Sequence, residues 1–261
     1  MRAILYILFF FAPIVGMAQF GGISGGKLLP STVSGCSTVV TYASQLNPIS
    51  GTYVQYLSTT NFTGNPTAFS VSAWINLYYT QSGRTYFSNY NGSTGNGWVV
   101  GIDDASPNLI KFYAGSAVFN SSVSLSNSTW YHVVLTYDNA ASPKMKLYIN
   151  NGTPETSSLS LTYSGTAVNN VIGQLTAASA NQSFAANMTS TGYWTRALTS
   201  TEVSYLYNSG TPLLYSCMTG SVLTNLVAWY DMGEATSATR IDATGNGHNM
   251  TNGNNVAQVT R

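Results

Sequence analysis

Residues 69–79 read FSVSAWINLYY, and this stretch decides the fold class. Apolar side chains occupy every second position, with serine, tryptophan and asparagine between them. A period of two is typical of a β-strand that buries one face, because successive side chains of a strand point to opposite sides. The predicted core face consists of Phe69, Val71, Ala73, Ile75 and Leu77.

Further candidate strands surround this one and are separated by turn-forming residues. The dipeptide Asn151-Gly152 forms one such turn, since Asn-Gly is a strong hairpin signal. Several short strands in a regular series predict an antiparallel sandwich or barrel. The candidate strands are residues 52–58, 84–90, 97–103, 109–115, 130–138, 144–150 and 169–175.

One short helix is predicted late in the chain, where residues 196–210 read RALTSTEVSYLYNSG. Thr199 suits the N-cap, and Glu202, three residues later, completes a capping box. Gly210 and Pro212 are predicted to end the helix.

Charge is sparse in this chain of 261 residues: only 7% are Asp, Glu, Lys or Arg, and the formal net charge is +1. A typical globular protein has about 25% charged residues. Such a surface offers no basic patch for nucleic acid or anionic lipid, so we exclude both as partners. The 18 tyrosines suit β-sheets, and exposed tyrosines suit contacts with sugars and proteins.

The first 18 residues differ from the rest and predict a secretory signal peptide. Arg2 precedes a short apolar run, and the small residues Gly16 and Ala18 suit a cleavage site. The run is shorter than the roughly 20 residues of a membrane span, and no later stretch could cross a bilayer. We therefore expect a secreted, extracellular or cell-surface protein with an N-terminal arm at 19–50 and one domain at 51–261.

Two cysteines, Cys36 and Cys217, are the only ones in the chain. An exported protein meets an oxidising compartment, where paired cysteines form disulfides. We predict a Cys36–Cys217 bond that ties the arm to the C-terminal part of the domain. Two separate buried thiols are the alternative.

Five phrases in fixed order carry a family resemblance over residues 52–208. They are YVQYLS, FSVSAWINL, WYHVVLTYD, KLYINNG and GYWTRALTSTEVSYLYNSG. The series resembles the laminin-G-like, concanavalin A-like jelly roll in its pentraxin-like branch. The resemblance implies an all-β fold in which two antiparallel sheets form a jelly-roll sandwich, with one short helix.

Residues 226–251 resemble the first strand and first loop of the same family, yet they come last. They read LVAWYDMGEATSATRIDATGNGHNMT. Either the domain is circularly permuted, or this strand is donated to another subunit. In the first case residues 226–232 pair with the closing strand near 188–195, and Leu226, Ala228 and Tyr230 share one face.

Relatives in this family often hold a structural Ca²⁺ between the first loop and the closing strand. The resemblance points to Asp242, Asn246 and Glu234 as oxygen ligands, which Ca²⁺ prefers. The family's acidic phrase on the closing strand is replaced here by Met188-Thr189-Ser190. Two interpretations stay open: one weakly held Ca²⁺, or a turn without metal.

Catalysis is not predicted, although concanavalin A-like folds include glycanases. Glycosidases need two carboxyl groups at a defined separation, and no strand here carries the Glu-x-Asp-x-x-Glu pattern of the glucanase branch. Asp103 and Asp104 are adjacent, while Asp231 and Glu234 straddle a strand end. His132 lies within a strand and is interpreted as structural.

Sugar binding is the other function that the resemblance implies. Tyr90, Asn91 and Trp98 are the candidate ligand residues, since aromatic and amide side chains suit glycans; burial of Trp98 in the core is the alternative. We predict a non-catalytic binding or adhesion module for a glycan or an extracellular protein. The alternative is a self-assembling structural subunit of an extracellular filament or virion, joined through the terminal strand.

Overall fold

The alternating segments form strands of two antiparallel sheets. The computed structural model describes residues 40–46, 48–49, 53–90, 97–163, 169–176 and 182–261. The strands in chain order are β1 (Tyr42–Leu46), β2 (Pro48–Ile49), β3 (Tyr53–Val54), β4 (Tyr56–Thr60), β5 (Ala68–Leu77), β6 (Arg84–Ser88), β7 (Trp98–Ile102), β8 (Leu109–Ala114), β9 (Ala117–Ser124), β10 (Trp130–Asp138), β11 (Met145–Ile149), β12 (Glu155–Ser157), β13 (Asn169–Ile172), β14 (Ala186–Trp194), β15 (Leu226–Tyr230), β16 (Thr251–Gly253) and β17 (Ala257–Thr260).

The larger sheet has eight strands in the order β12-β11-β10-β5-β14-β1-β17, with β15 also paired to β14. The smaller sheet has seven strands in the order β16-β4-β13-β6-β7-β8-β9, and β2 and β3 form a separate pair. The two-sheet antiparallel sandwich predicted from the sequence is therefore confirmed. Its main core is filled by the inner faces of both sheets.

Strand β5 has the predicted orientation. Phe69, Val71, Ala73, Ile75 and Leu77 are all fully buried and belong to the main core. β10 lies on one side of β5 and β14 on the other, so this strand is central in its sheet. A central strand has both backbone edges paired, which suits the unbroken run without proline.

A second layer covers the outer face of the larger sheet. It contains helix α1 (Ser200–Tyr207) and three 3-10 helices at Asn208–Gly210, Tyr215–Cys217 and Gly220–Leu223. A second cluster of buried apolar side chains, including Trp194 and Trp229, joins this layer to the sheet.

The capping box of α1 forms as predicted. The Thr199 hydroxyl accepts from the Glu202 backbone N–H at 3.3 Å, and the Glu202 carboxylate accepts from the Thr199 backbone N–H at 2.9 Å. The helix ends at Asn208, which takes a left-handed conformation with φ 44° at the C-cap. Asparagine tolerates this conformation, so neither Gly210 nor Pro212 is the terminating residue.

The displaced strand β15 pairs antiparallel with β14 within the chain. Trp194 lies opposite Leu226, and Tyr193 lies opposite Ala228. A register shift between Tyr193 and Trp194 leaves Ala228 and Tyr230 in the main core but places Leu226 in the second cluster. The predicted pairing is confirmed, and the shared face predicted for Leu226, Ala228 and Tyr230 is wrong for Leu226.

The predicted boundary between arm and domain needs a correction. Strand β1, within the supposed arm at 19–50, lies between β14 and β17 in the larger sheet. Ala43 and Leu46 are fully buried. The sheet therefore includes residues 42–46, which the arm prediction treated as irregular. The signal peptide predicted for 1–18 lies outside the described residues and stays a prediction.

Cys217 lies in a 3-10 helix and is 3% exposed. It is not a free thiol. Its predicted partner, Cys36, lies outside the described residues, so the specific pairing stays a prediction.

Gly192 offers a test of how β14 and β15 fit together. A Cβ at this position would lie 2.5 Å from Trp229 Cε3 and 2.6 Å from Trp194 Cη2. We expect Gly192→Ala to reduce the free energy of unfolding by roughly 1–3 kcal/mol through overpacking. For a domain of this size each kcal/mol lowers Tm by about 2–4 °C, which a thermal melt measures.

Gly233→Ala is the matched control for that experiment, because its Cβ would meet Tyr42 Cβ at an ordinary 3.7 Å. This control should melt close to the parent protein. Equal melting temperatures for the Gly192 and Gly233 variants would contradict the tight packing of the two tryptophans.

The Glu202 carboxylate predicts a pH-dependent contribution to stability. Burial opposes its ionisation, but hydrogen bonds from Arg196, Thr199 and Ser221 outweigh burial and lower its pKa to about 2. Because the pKa of Glu202 is lower in the folded than in the unfolded protein, its ionised carboxylate stabilises the folded state at pH values above 4.5. This stabilisation is lost as the pH falls from 4.5 towards 2. We expect the Tm of Glu202→Gln to be lower than that of the parent at pH 7. Near pH 2 the two Tm values should be nearly equal. A pH-independent difference in Tm would contradict this assignment.

Candidate functional site

A pocket opens on the outer face of the smaller sheet where β6, β7 and β8 lie side by side. We call it the outer pocket. It is an open depression, and the space between its lining residues, open solvent included, is about 190 Å³. The residues that line it are Gly83, Arg84, Thr85, Val99, Gly101, Ile102, Asp104, Lys111, Tyr113 and Gln182.

The floor of the outer pocket is made by a glycine and a strand irregularity. The pairing of β6 with β7 shifts between Thr85 and Phe87. A Cβ on Gly101 would overlap the carbonyl oxygen of Arg84, so only glycine allows this close approach of the two strands. The missing side chain leaves a depression between the side chains of the neighbouring strands.

Lys111 and Asp104 form the polar wall of the pocket. They make a close ion pair, and the Lys111 ammonium also lies 3.8 Å from the Asp103 carboxylate. The Lys111 side chain is 15% exposed and the Asp104 side chain 60% exposed. Lys111 also lies over the Tyr113 ring, 5.5 Å from its centroid. Lys111 is therefore held in place by two kinds of contact.

Arg84 pairs with Ile102, a residue of the main core, so its side chain lies on the face of the smaller sheet opposite to Lys111. Its Nε atom is buried and makes no hydrogen bond. No ion pair links Arg84 to any acid in the described part of the chain. Eight other buried side-chain atoms of the described residues also lack a hydrogen-bond partner, so this feature does not distinguish Arg84.

Tyr113 provides the aromatic surface. Its half-buried ring packs edge-on against Tyr90, with the centroids 6.0 Å apart and an interplanar angle of 72°. Burial raises the pKa of Tyr113, and Tyr90 and Asp104 raise it further. The hydroxyl therefore stays protonated and can donate a hydrogen bond throughout the physiological pH range.

The three predicted sugar-binding residues have different outcomes. Tyr90 lies at the margin of the outer pocket through its contact with Tyr113. Asn91 lies outside the described residues. The prediction that Trp98 binds a ligand is wrong, because this side chain is fully buried. Its ring stacks on Phe69 and Tyr193, with centroid distances of 5.0 Å and 5.9 Å. A core tryptophan presents no face to a ligand.

The sequence analysis missed Lys111 and Tyr113 as binding candidates. A signal for both was present in residues 109–115, LIKFYAG. Alternation places Ile110 and Phe112 in the core and hence Lys111 and Tyr113 on the opposite face.

Asp242, the central residue of the calcium prediction, is surrounded by donors. Its Oδ1 accepts from the backbone N–H groups of Trp229 at 3.2 Å and Thr244 at 3.1 Å, and from the Thr244 hydroxyl at 2.7 Å. Its Oδ2 accepts from the His248 backbone N–H at 3.1 Å. Three donors therefore share Oδ1, and one donor contacts Oδ2.

The other two predicted ligands also make contacts within the protein. Glu234 Oε1 accepts from the Ile241 N–H at 2.8 Å, and its Oε2 lies 3.6 Å from Arg240 Nε. The Asn246 amide donates to the Val227 carbonyl at 2.8 Å. Across the described ranges, no three His, Cys, Asp or Glu side chains form a group that could hold a metal. These contacts describe a turn that is complete without a metal, and the calcium prediction stays a prediction.

His132 is a structural residue, as interpreted from the sequence. It is 1% exposed, and its Nε2 lies 2.8 Å from the Ser72 hydroxyl. Burial lowers its pKa to about 3, so the imidazole is neutral. Its Nδ1 has no carboxylate partner among the described residues. The Ser72–His132 pair therefore lacks the third member of a triad and is closed to solvent.

The acidic residues considered for catalysis are engaged in turns. Asp103 Oδ2 accepts from the backbone N–H groups of Ala105 at 3.2 Å and Ser106 at 2.8 Å. Asp231 Oδ1 accepts from the Tyr215 backbone at 2.9 Å and the Trp229 indole at 2.7 Å. Burial raises the pKa of Asp231, and this effect is larger than that of the two hydrogen bonds, which lower the pKa. Neither arrangement is an acid–base pair across an open cleft.

Comparison with known proteins identifies the family of the chain. Residues 50–204, more than half of the chain, match the laminin-G-type model of the concanavalin A-like lectin/glucanases superfamily. The chain therefore belongs to this superfamily. No curated protein sequence matches the chain significantly.

Two solved structures illustrate the similarity. One is a candidate carbohydrate-binding protein from Bacteroides ovatus, 19% identical, with a TM-score of 0.62 over 85% of this chain and 60% of that chain. The other is the native heptameric SAP-like pentraxin from Limulus polyphemus, 13% identical, with a TM-score of 0.54 over 85% of this chain and 98% of that chain. The chain thus covers less than two thirds of the B. ovatus protein. At these identities the similarity establishes the fold.

Among the described residues, no helix has the length and apolar composition required to cross a bilayer.

A metal-free role for Asp242 predicts how the protein responds to calcium. We expect Asp242→Ala to lower Tm by the same amount in EDTA and in millimolar CaCl₂, because it removes four internal hydrogen bonds in both. Each bond contributes about 0.5–1.5 kcal/mol. If EDTA lowers the Tm of the parent and not of the variant, the calcium prediction is correct instead.

Proposed function

We propose that the protein is an exported, non-catalytic module that binds a glycan in the outer pocket. The observation that carries this proposal is the combination of an open depression with a tyrosine ring and several polar side chains on a rigid sheet. Tyr113 supplies the ring, while Lys111, Asp104 and Gln182 supply hydrogen-bonding groups. Sugars bind by these two kinds of contact, since their C–H faces pack on aromatic rings and their hydroxyls need donors and acceptors.

The size of the pocket sets the expected ligand. The outer pocket is a shallow, open depression, because its space of about 190 Å³ includes open solvent. It suits contact with one edge or one substituent of a glycan that continues over the sheet surface. Strands β6, β7 and β8 fix its walls, so little ordering is needed on binding.

The comparisons support this proposal without specifying a ligand. The superfamily name includes lectins, and the B. ovatus structure is described as a candidate carbohydrate-binding protein. Glucanases share the superfamily name, but the acids near the outer pocket do not resemble a glycosidase pair. Asp104 is paired with Lys111, and Asp103 accepts from Asn120 at 3.1 Å and from its own turn.

Export is part of the proposal and rests on the signal peptide that the sequence predicts for residues 1–18. An extracellular setting suits a surface with few charges and a ligand of the glycan class. The alternative, a subunit joined to neighbours through its terminal strand, has less support. β15 completes the sheet of its own chain and therefore gives no reason to invoke strand donation.

The test is glycan binding by the parent protein and two tyrosine variants. A glycan array identifies a ligand, and isothermal titration then measures Kd. We expect Tyr113→Ala to weaken binding about tenfold or more, which is about 1.4 kcal/mol, because the stacking surface is lost.

Tyr42→Ala is the control variant. Tyr42 is 45% exposed on β1 in the other sheet, so its removal should leave Kd unchanged. A protein that binds no glycan on the array, or a Tyr113 variant that binds like the parent, would refute the proposal.

A further inference from the structure

We propose that Asn246 is a site of spontaneous deamidation, by which the last loop of the protein acquires a negative charge over time. An asparagine reacts most readily when glycine follows it, because glycine has no side chain to hinder the approach of its backbone nitrogen to the asparagine amide. The chain has five Asn-Gly pairs. Three of them lie within the described residues, at 151–152, 246–247 and 252–253.

The reaction is an intramolecular substitution at the Asn246 side chain. The backbone nitrogen of Gly247 loses its proton to water and attacks Cγ of Asn246, a C–N bond forms, and the side-chain nitrogen leaves as ammonia after it takes up a proton from water. A second water molecule opens the five-membered imide at either carbonyl, which gives aspartate or isoaspartate at position 246. Water is the only co-reactant. The step that the fold controls is loss of the proton from the backbone nitrogen.

The Gly247 backbone nitrogen is free to react. Asn246 and Gly247 are both exposed, and the Gly247 N–H makes no hydrogen bond with any described residue. A Cβ at Gly247 would meet nothing within 4 Å, so the space around this peptide unit is open. An exposed amide without a hydrogen bond loses its proton without any opening of the structure. The Asn246 side chain has to release one exposed hydrogen bond, from Nδ2 to the Val227 carbonyl at 2.8 Å.

The pair Asn151-Gly152 has the same two residues on an equally exposed turn but is protected. The Gly152 N–H donates to the Ile149 carbonyl at 3.0 Å in the turn between β11 and β12. The Asn151 amide donates to the Ser204 hydroxyl at 3.2 Å. Local opening of the hairpin must therefore precede the reaction, which slows it by the free energy of that opening.

The pair Asn252-Gly253 is protected by its strand and by its side chain. It lies in β16, which pairs with β4. The Asn252 amide donates to the Val256 carbonyl at 3.2 Å, and its Oδ1 accepts from the Val256 N–H at 2.9 Å. The amide carbon is thus held away from the backbone nitrogen by bonds on both sides. Of the three described pairs, the fold leaves 246–247 accessible to the reaction.

Deamidation at 246 changes a contact between the last loop and β15. The Asn246 amide donates to the Val227 carbonyl, which can only accept. A carboxylate cannot donate in its place and would face the carbonyl oxygen. At position 151 the partner is the Ser204 hydroxyl, which can turn and donate to a carboxylate instead. The same chemical change is therefore unfavourable at 246 and tolerated at 151.

The first experiment measures the reaction at each pair in folded and in denatured protein. Parent protein is incubated at mildly alkaline pH with and without denaturant, and samples are digested at intervals for mass spectrometry. Enzymatic methylation of isoaspartate identifies the product. The denatured sample is the internal control, since each pair there offers the same Asn-Gly unit without the fold.

We expect Asn246 in the folded protein to react at close to its rate in denaturant. Asn151 and Asn252 should be slowed by the fold about tenfold or more, because their reaction requires local opening. In Asn246→Gln the six-membered imide forms slowly, so this position should stay unmodified. Protection of Asn246 by the fold as strong as that of Asn151 would overturn the proposal, as would a folded protein in which position 246 stays unmodified.

The second experiment measures the effect on stability with Asn246→Asp and its matched control Asn151→Asp. Both variants add one negative charge to an exposed loop. We expect Asn246→Asp to lower Tm by about 2–4 °C, the shift that corresponds to one lost hydrogen bond, while Asn151→Asp melts close to the parent. Parent protein that has been fully deamidated should melt like Asn246→Asp. Equal Tm values for the two variants would overturn the effect assigned to the Val227 contact.

Discussion

The open edge of β14 is the constraint on which the rest of the structure depends. One edge of this strand pairs along its length with β5. The other edge is covered by two separate pieces of chain, β15 against residues 191–194 and β1 against residues 186–188. Both pieces run antiparallel to β14, so they lie end to end like two halves of one strand. An edge left open here would expose backbone groups and the main core together.

Side chains secure the junction between the two halves. Thr189 donates to the Asp231 carbonyl at 2.8 Å, and Ser44 donates to the Met232 carbonyl at 3.2 Å. Arg240, fully buried, donates to the Ser44 hydroxyl at 2.6 Å and to several carbonyls of the last loop. Burial lowers the pKa of Arg240, against the effect of Glu234. The acid that resembled a calcium ligand thus serves to balance a structural cation.

Much of this fold follows from local patterns in the sequence. β5 and β10 alternate cleanly, the capping box of α1 sits at Thr199 and Glu202, and the family resemblance located β15 beside β14. Six strands were not predicted, because they are short or of mixed polarity and gain their order from their partners. Five of them have two to five residues, namely β1, β2, β12, β16 and β17. The sixth, β9, has eight residues but only a weak apolar pattern. Strand pairs at an edge depend on context more than on propensity. The role of Arg240 depends on contacts with residues about 200 positions away and has no local signature.

The outer pocket was hard to predict for the same physical reason that makes it suitable for binding. Its depth comes from Gly101 and from the shifted pairing of β6 and β7, which the sequence of neither strand specifies alone. Such irregularities re-aim side chains at fixed positions on a rigid sheet. The pairing of β7 with β8 sets Lys111 opposite Gly101, so the lysine lies beside the depression that the glycine leaves, and its position follows from the register rather than from the residues around it in the sequence.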